Sequence, residues 1–89
     1  MLQRDITIIN KLGLHARAAA KLVNTASAFG AEVSLSRNGQ TVNGKSIMGV
    51  MMLAAAKGSM VQLQTDGEDE EAAMQALVTL VDDRFGEAE

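Results

Sequence analysis

Apolar residues along this chain switch repeatedly between every second position and every third or fourth, and that switching constrains the fold more than any other feature. Leu2, Ile6 and Ile8 face one way with Gln3, Asp5 and Thr7 opposite, the alternation of a half-buried strand over residues 2–9. The pattern breaks at Gly13, within Asn10 to Leu14. From Ala16 the spacing becomes helical, because Ala19, Leu22, Val23 and Ala26 fall at i, i+3, i+4 and i+7, with Gly30 as the expected stop. Ala31, Val33 and Leu35 alternate with Glu32, Ser34 and Ser36 as a second strand. Asn38-Gly39 is a hairpin signal, since both residues tolerate the positive φ of a two-residue turn, and a short third strand follows over Gln40 to Asn43. Ser46 is a good N-cap for the apolar run Ile47 to Leu53, which predicts a short, partly exposed helix. Met60 to Thr65 alternates again, and Asp66-Gly67 turns the chain. Glu68, Asp69, Glu70 and Glu71 crowd the start of a last helix, where acids complement the amino-end dipole. Met74, Leu77, Val78, Val81 and Phe85 continue it, with Arg84 near its end and Gly86 beyond.

The predicted order is therefore βαββαβα. One apolar stripe per helix and one apolar face per strand predict an α+β fold, an open-faced sandwich in which three helices cover one side of a four-stranded antiparallel sheet. With 89 residues and no sign of a linker or repeat, the chain reads as one domain, 1–89. A chain of this size buries roughly 60 to 65% of its unfolded surface and has no room for a large enclosed active site. It has no cysteine, so its core alone carries its stability and nothing argues for an oxidising compartment. No stretch approaches the ~20 apolar residues of a membrane span, and the polar-apolar start is unlike a signal peptide. A soluble, cytoplasmic protein with no membrane partner is expected. Scattered Lys and Arg, a net charge of -3 and an aromatic complement of Phe29 and Phe85 argue against nucleic-acid binding.

The single histidine stands at the most irregular point, in Lys11-Leu12-Gly13-Leu14-His15-Ala16-Arg17. If a helix begins there, the backbone amides of Ala16, Arg17 and Ala18 are unpaired by construction, and a helix amino end attracts anions. Arg17 adds a guanidinium suited to phosphate oxygens. An imidazole, with an ordinary pKa of ~6.5, is a competent nucleophile near neutral pH. Nucleophile, anion cradle and cation together describe a phosphoryl acceptor. A histidine at a helix start is elsewhere most often a cap or a solvated side chain. Metal binding is disfavoured, since no second ligand stands near in sequence and Arg17 repels a cation. No cofactor is implied, and no nucleophile-base arrangement for acyl transfer can be drawn.

The run Gly13-Leu14-His15-Ala16-Arg17 resembles the active-site signature of the HPr family, the histidine-containing phosphocarriers of the bacterial phosphoenolpyruvate-dependent phosphotransferase system. Asn43-Gly44-Lys45-Ser46-Ile47-Met48-Gly49-Val50-Met51 resembles the family's second signature, around its regulatory serine. The two runs lie at the family's separation, in a chain of its length, and the likeness spans the whole sequence. The resemblance implies that His15 takes a phosphoryl group at Nδ1 from enzyme I and passes it to an enzyme IIA histidine, with Arg17 and the helix amides steadying the oxygens. Such a chain is a relay component and not a stand-alone enzyme. It implies further that Ser46 is the residue modified by an HPr kinase/phosphorylase where one exists. Leu14, Ala20, Ile47, Met48, Met51 and Met52 would then form the apolar docking patch, on a protein acting as a monomer. Where the family commonly has proline after the arginine, this chain has Ala18, an excellent helix former that also supplies one more amide. The family includes NPr, carrier of a nitrogen-related parallel chain, so sugar uptake and that regulatory branch both stay open. A competing reading makes the chain a regulatory module whose partner binding depends on Ser46, without relay through His15.

Overall fold

Ile6, Val33, Leu35, Val61, Leu63 and Thr65 are all buried, while their strand neighbours point outward or are half-covered, so one face of a sheet carries the core. The computed structural model describes residues 1–89. Its strands are β1 (Leu2–Thr7), β2 (Glu32–Arg37), β3 (Gln40–Asn43) and β4 (Met60–Asp66), and its helices α1 (Ala16–Ser27), α2 (Ile47–Met52) and α3 (Glu70–Asp82). The strands form one antiparallel sheet in the order β1-β4-β2-β3. Ile6 stands opposite Val61 and Leu35 opposite Leu63, which lines apolar side chains up across the buried face. The three helices cover that face, giving the α+β open-faced sandwich in the order βαββαβα. No helix is long and apolar enough to cross a membrane.

The buried stripe of α1 is Ala18, Ala19, Leu22, Val23 and Ala26, and its alanines let α1 approach its neighbours α2 and α3 closely. Leu77 and Val81 of α3 reach the same core above β1 and β4. Asn38 (φ 51) and Gly39 (φ 81) make the two-residue hairpin turn with both residues left-handed, as the Asn-Gly pair predicts. Thr65, the one polar side chain on the inward face of β4, is satisfied by donating to the Glu70 carbonyl at 2.9 Å.

Four expectations need correction. The first strand ends at Thr7, although Ile8 still turns inward to the core. Gly30 does not stop α1. The helix ends at Ser27, and the amides of Ala28 and Phe29 close it with tight bonds to Thr25 and Ala26, while the Gly30 amide donates to Asp69 at 2.9 Å. Phe85 does not continue α3: the helix stops at Asp82, and Arg84 (φ 54) and Phe85 (φ 55) are left-handed. Burying the Phe85 ring completely offsets that backbone cost of about 1 kcal/mol per residue and redirects the last residues toward α1. Finally, Leu14 is not on the surface. Its amide donates to the Ala55 carbonyl at 2.9 Å and its side chain, 5% exposed, belongs to the core.

Candidate functional site

The loop before α1 is built to present one side chain. Gly13 adopts φ +67, and a Cβ there would lie 2.5 Å from the Ala55 carbonyl oxygen, so only glycine lets the loop approach the segment after α2 this closely. Asn10, fully buried, donates its amide nitrogen to the Gly13 carbonyl at 2.8 Å and to Glu87 Oε1 at 2.9 Å. Both partners are acceptors, so the nitrogen must face them and Asn10 Oδ1 is left without a partner. Leu14, turned inward, anchors the far side, and His15 follows as the N-cap of α1 with extended backbone (φ -73, ψ 177).

The His15 side chain makes no capping bond to the helix. Its Nε2 meets Glu87 Oε2 in a short hydrogen bond, and about a quarter of the side chain (27%) remains exposed. The amides of Ala16, Arg17 and Ala18 donate to no group of the protein, and the first intrahelical bond is that of Ala19 to the His15 carbonyl at 2.8 Å. These free donors and the aligned peptide dipoles give the end of α1 a positive character. Arg17 is exposed and pairs with no carboxylate, so its five donors are available. His15, Ala16 and Arg17 line an open hollow of about 760 Å³ together with Lys11, Leu12, Glu87, Ala88 and Glu89.

The residues after Phe85 close one wall of that hollow. Lys21 Nζ donates to the Phe85 carbonyl at 2.6 Å, the Lys11 amide donates to the Glu89 carbonyl at 2.9 Å, and Lys11 Nζ stands 3.2 Å from Glu89 Oε2. The Asn10 amide, and after it His15, hold the Glu87 carboxyl below the usual carboxylate range. Sequence reasoning found no carboxylate near His15, because Glu87 lies 72 positions away. Only Gly86 after a buried aromatic hints at the reversal that brings it back. No three His, Cys, Asp or Glu side chains converge as a metal ion would need.

Ser46 caps α2 as its position predicts, its hydroxyl oxygen accepting from the Gly49 amide at 3.1 Å. Beyond it Ile47, Met48, Met51 and Met52 are exposed, Met48 the most at 76%, while Val50 and Leu53 point into the core. Of the residues expected in an apolar patch, Ala20 is half-buried and Leu14 is excluded by its burial; Leu12, unexpected, is 66% exposed. α2 packs on α1, and the segment after α2 holds Leu14, so the exposed methionines and His15 are carried by neighbouring, directly bonded elements.

A family model described as the phosphotransferase system HPr component phosphorylation site matches residues 2–83. The chain is 65% identical to phosphocarrier protein HPr of Cupriavidus necator and 60% identical to that of Neisseria meningitidis, over the full length of each. It is 44% identical to phosphocarrier protein NPr of Shewanella violacea, over 98% of this chain and 96% of that one. Among solved structures, HPr from Thermoanaerobacter tengcongensis superposes with a TM-score of 0.96 at 46% identity, covering all of both chains. Fold and relatives together define a small α+β phosphocarrier of the phosphotransferase system. Within that class, the chain belongs to the HPr family.

Proposed function

We propose that this chain takes a phosphoryl group onto His15 from enzyme I, itself charged from phosphoenolpyruvate, and hands it to a histidine of an enzyme IIA partner. The observation that carries the reading is the arrangement at the start of α1: an accessible imidazole, the free Arg17 guanidinium and the Ala16 and Arg17 residues with undonated amides around one open hollow, with the undonated Ala18 amide behind them. Glu87 occupies Nε2, which leaves Nδ1 to attack. As the Nδ1–P bond forms, the donor's P–N bond breaks, and charge gathering on the phosphoryl oxygens meets Arg17 and the amides of Ala16, Arg17 and Ala18. The hollow is shallow and open, which suits a site completed by a partner protein better than one that encloses a small substrate.

Ile47, Met48, Met51 and Met52, with Leu12 and the half-buried Ala20, are the apolar surface on which both partners dock. Soft, unbranched methionines suit a surface that several partners must recognise and release. Phosphorylation of Ser46 by an HPr kinase/phosphorylase would set about -1.5 to -2 charges beside that surface. The chain is more similar to the relatives named HPr than to the one named NPr, and sugar uptake and the regulatory branch both stay open. The chain works as a cytoplasmic monomer.

Incubation with enzyme I and labelled phosphoenolpyruvate tests the reading. An acid-labile, base-stable label is expected on the native chain and none on His15→Ala; label surviving that substitution rejects the assignment.

A further inference from the structure

We propose that Glu87 is a positioning residue for His15: its carboxylate keeps Nε2 protonated, so that Nδ1 alone takes the phosphoryl group and the loaded ring departs as a neutral imidazole. This rests on the relay reading above and adds to it a residue outside both signatures.

The geometry points to Glu87 because both of its carboxylate oxygens are committed. Oε2 meets His15 Nε2 and Oε1 accepts from Asn10, a fully buried side chain that also ties the loop before His15. The segment that delivers it is held at some conformational cost. Two non-glycine residues, Arg84 and Phe85, are left-handed, and the chain is tied on either side of Glu87 by Lys21 and Lys11. An exposed ion pair between mobile side chains needs no such support. An ionised carboxylate only accepts hydrogen bonds, so the Nε2 that faces it must carry the proton. The lone pair of the neutral ring then lies on Nδ1. This matches the way a carboxylate behind an imidazole sets tautomer and orientation in metal sites and catalytic triads.

The chemistry balances with this proton in place. Nδ1 donates its electron pair to phosphorus while the donor nitrogen takes back the pair of the breaking P–N bond. The ring, with phosphorus on Nδ1 and hydrogen on Nε2, becomes cationic beside the Glu87 carboxylate. In the second transfer the Nδ1–P pair returns to the ring, which leaves neutral because the Nε2 proton never departed. Were that proton lost, the leaving group would be an imidazolate. The other charged groups around Glu87 are Lys11, Arg17, Lys21 and Glu89, and of these Lys21 favours its ionised form.

Full-length Glu87→Gln and Glu87→Ala separate this role from simple anchoring of the tail. The Gln amide oxygen can still accept from Nε2 but carries no charge. Nitrogen-15 spectra of the unloaded protein at about pH 8, where an imidazole is neutral, should show the Nε2–H tautomer in the native chain and in Glu87→Gln, and a mixture in Glu87→Ala. For the enzyme I-loaded forms, the pH profile of phosphoryl hydrolysis should move to lower pH by about one unit in both variants, since the neighbouring negative charge is gone. An unchanged tautomer in Glu87→Ala, or an unmoved hydrolysis profile in both variants, would overturn the proposal. Failure of the native chain to take label on His15 would instead overturn the relay, and the unloaded-state spectra would still decide whether Glu87 sets the tautomer.

Discussion

Arg17 and Gly13 sit two residues from His15 on either side and should respond to substitution in opposite ways. Arg17 is exposed and bonded to nothing in the protein, so Arg17→Ala should leave the unfolding free energy from urea titration within about 0.5 kcal/mol of native. Its guanidinium is free for the transferring group, and the rate of label uptake from phospho-enzyme I should fall roughly 100-fold. Gly13→Ala reverses that balance. A left-handed backbone and a Cβ 2.5 Å from the Ala55 oxygen should cost roughly 2 kcal/mol of stability, read as a lowered urea midpoint. The places of His15, Arg17 and Ser46 at helix starts could be found from sequence because caps and first turns are local features. Leu14 could not be placed, since whether a loop residue faces solvent depends on what packs over it, here the segment around Ala55.

At the scale of elements, α2 depends on one hydroxyl. It is only six residues long, too short to be stable alone, and its Ser46 cap supplies a bond to the Gly49 amide. Ser46→Ala should therefore cost about 1 kcal/mol in urea unfolding. Ser46→Asp keeps a good capping group, so stability should stay near native. The added charge beside the apolar surface should nevertheless slow label uptake, and equal rates for Ser46→Asp and native protein would remove the serine from any regulatory role. β3 is read from the Asn38-Gly39 turn and α2 from its Ser46 cap, whereas the longer strands and helices announce themselves through periodicity, because one buried face per element demands it. The ends do so less well. α1 stops short of Gly30 because Asp69, 39 positions on, claims the Gly30 and Ala31 amides. α3 stops short of Phe85 because side-chain spacing carries no information about the sign of φ, and Phe85 keeps its inward position while its backbone turns left-handed.

The molecule as a whole is tied by carboxylates that join distant segments. Asp69 is held below the usual carboxylate range first by the Gly30 amide, Glu70 first by the chain's amino-terminal ammonium, and Glu87 first by Asn10. A carboxyl with a lowered folded-state pKa contributes stability that is present above its unfolded value and is lost as pH falls through the folded one. The urea midpoint should thus be flat from about pH 7 to about pH 5 and should fall on further acidification. In Asp69→Asn part of that fall should be absent. These long-range ties, Glu87 on His15 among them, are what local pattern cannot reveal, because partners 39 to 72 residues apart meet only once the sheet has assembled. The same assembly leaves one side of the sheet bare, a polar surface of Gln3, Asp5, Ser34, Gln62 and Gln64 turned away from every helix. Since the chain has no cysteine, a single thiol introduced at Asp5 would be chemically unique, and a fluorophore attached there could report on partner encounters without touching the proposed docking surface.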